Sequence, residues 1–497
     1  MIDYLLFDKV TSTKLNLLYL LFQNGDWYRI DELTVTSQLD RGTLMNYISN
    51  LQKDIDSFPI ISKPSIMISK GNGVKFFGDK TSYRIIIHSL IEASISFSLM
   101  KELFFKTSVS IDIFANNHFV SESSVRRLIV KLNTFYSKYG FQFHSKNRQL
   151  IFKGSEASFR YCSYQMFWFI YRGIEWPFVN AGEDKILTFI EKNFLEHVSL
   201  KETSISKWSY ILAVNVTRFN LGYKINENDL PDFSGELNRT IIQNNSSIFT
   251  AFKDDFFLSK SEVDFIFLTF QIGTRFYLIN RSTERILEFH RSNNTSVYQM
   301  YELLLDDPAF SMSEITFENQ EVIKSLVLAV FLSTLVFPNF ETNIAGYDYS
   351  KYLKKNFPYF YERMALKLNS MREISDSPLL NNEKFLIPRF AEIYALVGKP
   401  TDFDPKIYIK METDLPIVME SVLANQLTSA FESFFSVEII SPLYPDASVA
   451  IDLVVATVAS KPLAKKWKKT IVCINPEFRP IDFYNVAIEI EKIRLEK

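Results

Sequence analysis

Two stretches within the first 160 residues combine polar and basic side chains in a pattern that suits contact with nucleic acid. Such side chains can donate to and accept from base edges in the major groove of DNA, and the basic ones can bind phosphates. The candidates in the first stretch are Arg41, Thr43, Asn46, Asn50 and Lys53. Those in the second stretch are Ser123, Ser124, Arg126, Arg127 and Lys131. The adjacent arginines make the second stretch the better candidate for the main contact.

Each stretch is predicted to be a helix that buries its opposite face. The apolar stripe of the first helix consists of Leu44, Tyr47, Ile48 and Leu51. The stripe recurs 81 positions later as Val125, Leu128, Ile129 and Leu132. Residues three and four apart share one face of a helix, so both stripes predict a helix with one buried side. The recurrence predicts two copies of one structural unit, and Ser121 is a plausible N-cap of the second helix.

The segments before each helix repeat as well. A short helical stretch precedes each of them, at 30–38 and at 110–117. A longer predicted helix comes before that stretch, at 14–23 in the first copy and at 83–104 in the second. Three helices in this order are typical of a helix-turn-helix core.

Two short predicted strands follow each helix, within 65–78 and within 142–154. Their turns are expected at 71–73 and at 146–147, where Gly and Asn favour tight hairpins. Three helices and a hairpin make a winged helix, so the chain is predicted to contain two. The wing side chains placed to meet phosphates or a minor groove are Lys70, Lys75, Lys146 and Arg148. After the hairpins, a second set of residues recurs: Gly78, Ser82 and Arg84 become Gly154, Ser158 and Arg160.

Composition narrows the class of protein. The 497 residues suffice for about three or four domains, and 47% hydrophobic with 23% charged residues is ordinary for a globular chain. Residues 1–160 hold 20 Lys and Arg against 14 Asp and Glu, whereas the remainder holds 35 against 43. Positive charge therefore lies where a polyanion would bind. The chain has only two cysteines, Cys162 and Cys473. So few cysteines indicate a protein of a reducing compartment, and no disulfide is expected.

A cytoplasmic, soluble protein is expected. The N-terminus lacks the basic and apolar segments of a secretion signal. The longest apolar stretch, at 325–337, is too short to span a bilayer.

The rest of the chain changes character twice. From about 159 to 395 it is predicted to be helical and rich in aromatic residues, with one core helix at 207–222 and another at 323–337. After about 405 the pattern alternates between short strands and helices, which predicts a small parallel α/β unit. The predicted fold class is thus mainly α and multidomain, with a terminal α/β domain.

In this order of elements the chain resembles the Mga/AtxA family of regulators that contain PTS-regulation domains. The resemblance implies two winged-helix DNA-binding domains at 1–80 and 81–160. It further implies two helical PTS-regulation domains at 161–290 and 291–400, and an EIIB-like α/β domain at 401–497.

The resemblance also implies positions for phosphorylation. Ile211 and the stretch around Phe270 stand where such domains carry an acceptor histidine, so the remaining candidates are His197 and His290. An EIIB domain carries its reactive cysteine directly after the first strand, a place that falls at Met411-Glu412 here, while Cys473 lies inside a later strand. The terminal domain is therefore expected to serve contacts, above all self-association.

The expected function is that of a DNA-binding transcription regulator, global or linked to virulence, that responds to sugar-transport status. Expected partners are promoter DNA, a second copy of the chain, RNA polymerase and phosphocarrier proteins of the sugar phosphotransferase system. No phosphate-binding loop, metal-spaced Cys/His set or nucleophile elbow is present, so neither cofactor nor metal nor catalysis is expected. The alternative is a helical scaffold or adaptor whose winged helices bind protein.

Overall fold

The computed structural model describes residues 7–60, 63–194, 202–241, 247–279, 282–310, 315–344, 346, 348–440, 450–459, 461–467 and 469–497. Within these ranges the chain is mainly helical and forms three small sheets. It divides into two compact units, which we call the N-terminal unit (1–297 with 331–347) and the C-terminal unit (298–330 with 348–497). The predicted mainly α, multidomain fold is confirmed.

The first winged helix has the predicted order of elements. It consists of α1 (Lys9–Asn24), α2 (Ile30–Ser37), α3 (Arg41–Ser57), β1 (Ser65–Ser69) and β2 (Gly73–Phe77). The two strands pair antiparallel, and the backbone of Tyr28 adds a bridge to Val74 on β2. Gly73 makes this bridge possible, since a Cβ there would lie 2.1 Å from the carbonyl oxygen of Tyr28.

The second winged helix follows without a break in the chain. It consists of α4 (Lys80–Glu92), α5 (Ile95–Phe105), β3 (Val109–Ser110), α6 (Ile111–Asn117), α7 (Glu122–Tyr136), β4 (Phe141–Lys146) and β5 (Gln149–Gly154). The prediction of one helix over 83–104 was wrong. Ser94 has an extended backbone and its hydroxyl accepts from the amide of Phe97, so it caps a new helix instead of continuing the first.

The remainder of the N-terminal unit is helical, as predicted. Its main helices are α8 (Glu156–Tyr171), α9 (Glu183–Phe194), α10 (Glu202–Asn220), α11 (Ser234–Ile241), α12 (Ser247–Phe256), α13 (Lys260–Gln271), α14 (Thr274–Ile279) and α15 (Thr283–Ser292). The predicted domain boundaries at 160 and 290 fall inside α8 and α15.

The division of the chain into two units falls within two helices, α16 (Ser296–Leu305) and α17 (Phe317–Val336). By length and composition α17 could cross a membrane, so its apolar run is longer than the predicted 325–337. In the structure, 56% of that apolar stretch is buried inside the protein.

The C-terminal unit combines helices with a parallel sheet. Its further elements are α18 (Ser350–Asn356), α19 (Pro358–Ile374), α20 (Glu383–Tyr394), β6 (Ile407–Glu412), α21 (Ile417–Phe431), β7 (Val437–Ile440), β8 (Leu453–Ala456), α22 (Lys461–Lys466), β9 (Thr470–Cys473) and α23 (Pro480–Glu496). The strands are parallel in the order β7-β6-β8-β9. The predicted parallel α/β unit is confirmed.

The end of β6 differs from the prediction. Met411 and Glu412 do not follow the first strand but form its last two residues. The side chain of Met411 is buried in the sheet core, and Glu412 accepts from the ammonium of Lys466 (2.7 Å) and the indole N–H of Trp467 (2.8 Å). Cys473 is the last residue of β9 and is exposed.

A buried ionic cluster joins the second winged helix to the helices behind it. Arg218 on α10 donates two hydrogen bonds of 2.8 Å to the two carboxylate oxygens of Glu156, the first residue of α8. Arg160 donates to Glu156 as well (2.9 Å) and pairs with Glu262 on α13. All four side chains are at most 7% exposed. Each charge therefore depends on its partners, because these side chains are almost entirely removed from solvent.

Removal of one member of this ionic cluster should destabilise the N-terminal unit strongly. We expect Arg218→Met to lower the free energy of unfolding by about 3–5 kcal/mol, since it leaves the Glu156 carboxylate buried with only Arg160 to pair with it. Urea unfolding of the full chain, followed by tryptophan fluorescence, measures the change. The matched control is Arg291→Met, which breaks an exposed pair with Glu288 and should cost about 0.5 kcal/mol or less. Equal losses of stability in the two variants would contradict the role given to the cluster.

Candidate nucleic-acid interface

The third helices of the two winged helices, α3 and α7, bury equivalent residues. On α3 the buried positions are Leu44, Ile48, Leu51 and Ile55. On α7 they are Val125, Ile129, Leu132 and Tyr136, each 81 positions later. Tyr47 and Leu128 of the predicted stripes are only partly buried. The predicted burial of one face on each helix is confirmed.

The turn before each third helix repeats at the level of single residues. Gln38 and Phe119, again 81 apart, both adopt left-handed backbone conformations, with φ of 57° and 53°. Two residues later, Asp40 caps α3 and Ser121 caps α7, as predicted for Ser121. Hydrogen bonds from the hydroxyl and amide of Thr43 hold the pKa of the Asp40 carboxyl below its usual value. The same backbone turn therefore precedes both helices and fixes the residue at which each begins.

The candidate residues of α3 lie away from its buried stripe. Arg41, Thr43, Asn46 and Lys53 are exposed, and Asn50 is half-buried. The amide of Asn50 donates to the amide oxygen of Asn46 at 3.3 Å, which places both on one face of the helix. Arg41 lies in the first turn, 3.8 Å from the carboxylate of Asp31.

The candidate residues on α7 differ in their exposure and in the contacts that their side chains already make. Ser123, Arg126 and Arg127 are exposed and Ser124 is half-buried. Arg126 lies 3.5 Å from Glu122 one turn earlier, a surface pair that competes only weakly with a new partner. Lys131 donates its ammonium to the carbonyl oxygen of Phe7, a contact that sequence analysis did not anticipate. The first half of α7 is therefore the more available part.

The wing residues differ in their exposure and in how closely an acid side chain pairs with them. Lys70, Lys146 and Arg148 are exposed at or near the hairpin tips. Lys75 is 23% exposed and lies 2.9 Å from the carboxylate of Asp26, whose pKa this bond lowers. Lys75 therefore carries less uncompensated charge toward an incoming polyanion than the other three.

Both wings are tied to their third helix by a side-chain amide. The amide oxygen of Gln52 on α3 accepts from the backbone N–H of Ile66 on β1 at 2.5 Å. At the equivalent position of α7, Asn133 exchanges two bonds with the backbone of Phe143 on β4, of 2.7 and 2.8 Å. Sequence analysis missed this pair, although the amide side chains recur with the same shift of 81.

Three of the positions considered for phosphorylation lie within the described residues, Ile211, Phe270 and His290, and all three are buried. Ile211 and Phe270 are at most 1% exposed. His290 is fully buried, and its Nδ1 lies 2.8 Å from the hydroxyl of Thr295. Burial lowers the pKa of His290 to about 4, so it is neutral at pH 7 and has no surface on which a phosphocarrier could act. His197 lies outside the described residues.

Neither metal nor cysteine chemistry stands out in the part of the chain that the structure describes. No group of three or more His, Cys, Asp and Glu side chains suited to a metal ion occurs there. Cys162 and Cys473 are both free thiols, and burial raises the pKa of Cys162.

The fold and this interface define a protein with two winged helix-turn-helix modules. The family described as the Mga helix-turn-helix domain matches residues 79–167, from the capping residue of α4 into α8. A capsule synthesis positive regulator of Bacillus anthracis, AcpB, is 22% identical across 64% of this chain and 66% of its own length. A protein of Streptococcus pneumoniae serotype 4 whose name describes a trans-acting regulator is 24% identical across 44% of this chain and 43% of its own. These similarities agree with the resemblance to the Mga/AtxA regulators, and the chain spans about two thirds or less of the length of these two relatives.

The tie between α7 and its wing can be tested directly. In Asn133→Ala the N–H of Phe143 loses its acceptor, so we expect faster hydrogen exchange in the peptide 141–154 and a stability loss of about 1–3 kcal/mol. Exchange followed by mass spectrometry measures the first effect. Thr134→Ala is the control, because the Thr134 hydroxyl bonds only within α7, to the carbonyl of Val130. Unchanged exchange in Asn133→Ala would show that the wing is held by other contacts.

Proposed function

We propose that this chain binds double-stranded DNA at promoter regions through its two winged helices and thereby regulates transcription. The observation that carries the proposal is the exposed first half of α7, where Arg126 and Arg127 stand together in the segment that matches the Mga helix-turn-helix domain. In such modules the N-terminal residues of the third helix reach base edges while the wing contacts the backbone. The exposed Lys146 and Arg148 fit the second role.

The charge distribution supports the same proposal. Residues 1–160 carry six more basic than acidic side chains, 20 against 14. Two of these basic side chains, Arg41 and Arg126, pair with exposed carboxylates at 3.8 and 3.5 Å. Phosphates can replace these carboxylates at little cost in free energy, because exposed ion pairs are weak. Binding should consequently weaken as salt rises, because condensed counterions are released from DNA.

The names of the relatives indicate the biological role that we propose. A positive regulator of capsule synthesis and a trans-acting regulator both match this chain. We therefore infer a global or virulence-linked regulator in the cytoplasm, with RNA polymerase among its partners. Its helical region would respond to sugar-transport status by contact with phosphocarrier proteins. That response would not use His290, which lies inside the fold.

One observation favours the alternative role, an adaptor whose winged helices bind protein. The first wing exposes apolar side chains, since Met67 is 52%, Ile68 49% and Phe77 40% exposed. A protein partner could cover them, whereas phosphates could not. The two roles differ in salt dependence and in the need for duplex DNA.

A double substitution on α7 separates these functions. Arg126→Ala with Arg127→Ala should weaken binding to a duplex by about 1–3 kcal/mol for each base that an arginine no longer reaches. The fold should remain, because both side chains are exposed. Fluorescence anisotropy with duplexes selected from a random library by the full-length chain provides the measurement, at several salt concentrations. Arg291→Ala, an exposed arginine on α15, is the control and should bind normally. Equal affinity of the double variant and the wild type would refute the assignment, and the absence of any salt-dependent binding would favour the adaptor.

We also propose that the chain forms a homodimer through its terminal α/β domain. The start of α21 exposes a run of apolar side chains, Ile417, Val418, Met419 and Val422. A second copy would bury them and would bring a second pair of DNA-binding modules to one duplex at high effective concentration.

Charges placed on this helix should separate the copies. In sedimentation experiments at tens of micromolar, we expect the wild type to be dimeric and Val418→Glu with Val422→Glu to be monomeric. Leu495→Glu on α23, which is 71% exposed, is the control and should stay dimeric. A monomeric wild type, or a dimeric double variant, would remove the role that we give to α21.

A further inference from the structure

One apolar side chain stands in the middle of the exposed face of α7. Val130 is 66% exposed, although its neighbours on the buried stripe, Ile129 and Val125, are at most 7% exposed. In a helix, residues three and four apart are adjacent, so Arg126 and Arg127 lie one turn before Val130 and Thr134 one turn after it. The proposed contact surface therefore contains a valine between two guanidinium groups and a threonine.

Val130 takes no part in the packing of the core. Its side chain is left in water, and a β-branched residue lowers helix propensity. The equivalent position of α3, 81 residues earlier, holds the exposed Ser49. A polar residue at this position is therefore compatible with the same helix packing.

The surroundings of Val130 leave an apolar spot inside a polar face. The hydroxyl of Thr134 donates to the carbonyl oxygen of Val130 at 2.9 Å and is satisfied within the helix. The Nε of Arg127 donates back to the carbonyl oxygen of Ser123 at 3.4 Å. The methyl groups of Val130 lie between these groups and can make apolar contacts but no hydrogen bonds.

We infer that Val130 contacts the C5-methyl group of a thymine in the major groove. The inference rests on the proposed DNA binding by α7 and adds the chemical group that this helix reads. Thymine carries the one methyl group on the major-groove edges of the four ordinary bases, and apolar side chains are its usual partners. The flanking Arg126 and Arg127 match the charge of DNA. A stable protein interface needs about 1,200–2,000 Å² of buried surface, far more than one valine among charges provides.

Deoxyuridine tests the contact, because it pairs like thymidine but lacks the C5-methyl group. The full-length chain first selects its tightest duplex from a random library. Each thymine of that duplex is then replaced in turn by deoxyuridine, and the affinity is measured by fluorescence anisotropy. For the wild type we expect about fourfold weaker binding at one position, the effect of one methyl-sized apolar contact.

Variants assign this effect to Val130. In Val130→Ala, binding to the thymine duplex should weaken, and the deoxyuridine at that position should cause no further loss. Val130→Thr, which keeps one methyl group, should show an intermediate ratio. Lys146→Ala on the wing is the control: it removes an exposed charge away from α7, so it should weaken binding to both duplexes by the same factor and leave the thymine-to-uracil ratio at about four.

The outcomes distinguish this inference from the proposed function. Binding that no deoxyuridine alters, or a full thymine-to-uracil ratio in Val130→Ala, would overturn the inference while DNA binding stands, and the exposed valine would then belong to another partner. If no duplex is enriched at all, the proposed function itself fails. Circular dichroism of Val130→Ala should match the wild type, since an exposed side chain is removed.

Discussion

The buried ionic cluster of Glu156, Arg160, Arg218 and Glu262 is the constraint on which the N-terminal unit depends. Two carboxylates and two guanidinium groups lie out of reach of water, where an unpaired charge is costly and a satisfied one requires fixed geometry. Arg218 meets this requirement with both oxygens of Glu156, with the carbonyl of Phe104 (3.3 Å) and with the ring of Tyr223, 3.7 Å away. Since Phe104 belongs to α5, the cluster holds the core of the second winged helix against α10.

This constraint ties the second winged helix to α8, the helix that contains residue 160. The Mga helix-turn-helix match extends to residue 167, inside α8, and Glu156 and Arg160 form the first turns of that helix. A cut there would separate Arg218 and Glu262 from Glu156 and Arg160, the side chains with which they form buried ion pairs. The sequence contained a partial signal, because Gly78, Ser82 and Arg84 recur as Gly154, Ser158 and Arg160. It could not reveal that Arg160 has partners 55 and 102 residues away, Asn215 and Glu262.

Local patterns predicted most of the fold, and long-range contacts account for what they missed. The stripe at Leu44 and Val125, the caps and the hairpins depend on residues a few positions apart, so the sequence reveals them. The break at Ser94 was missed because the apolar run around it continues on both sides. For the candidate site, exposure of Arg126 and Arg127 followed from the same stripe. The partners of Lys75 and Lys131 lie 49 and 124 residues away in sequence, and no local pattern indicates them.

The two modules share a scaffold but present different chemistry. Asn46 and Met45 of α3 occupy the positions of Arg127 and Arg126 in α7, and Ser49 that of Val130. An amide matches the paired donor and acceptor of adenine, whereas a guanidinium matches guanine or a phosphate. The buried stripe, the left-handed turn residue and the amide tie to the wing occupy equivalent positions in both modules, so the two third helices differ chiefly on their exposed faces. In the proposed binding mode, the two third helices would therefore match different base pairs, as a duplex site with unlike halves presents them.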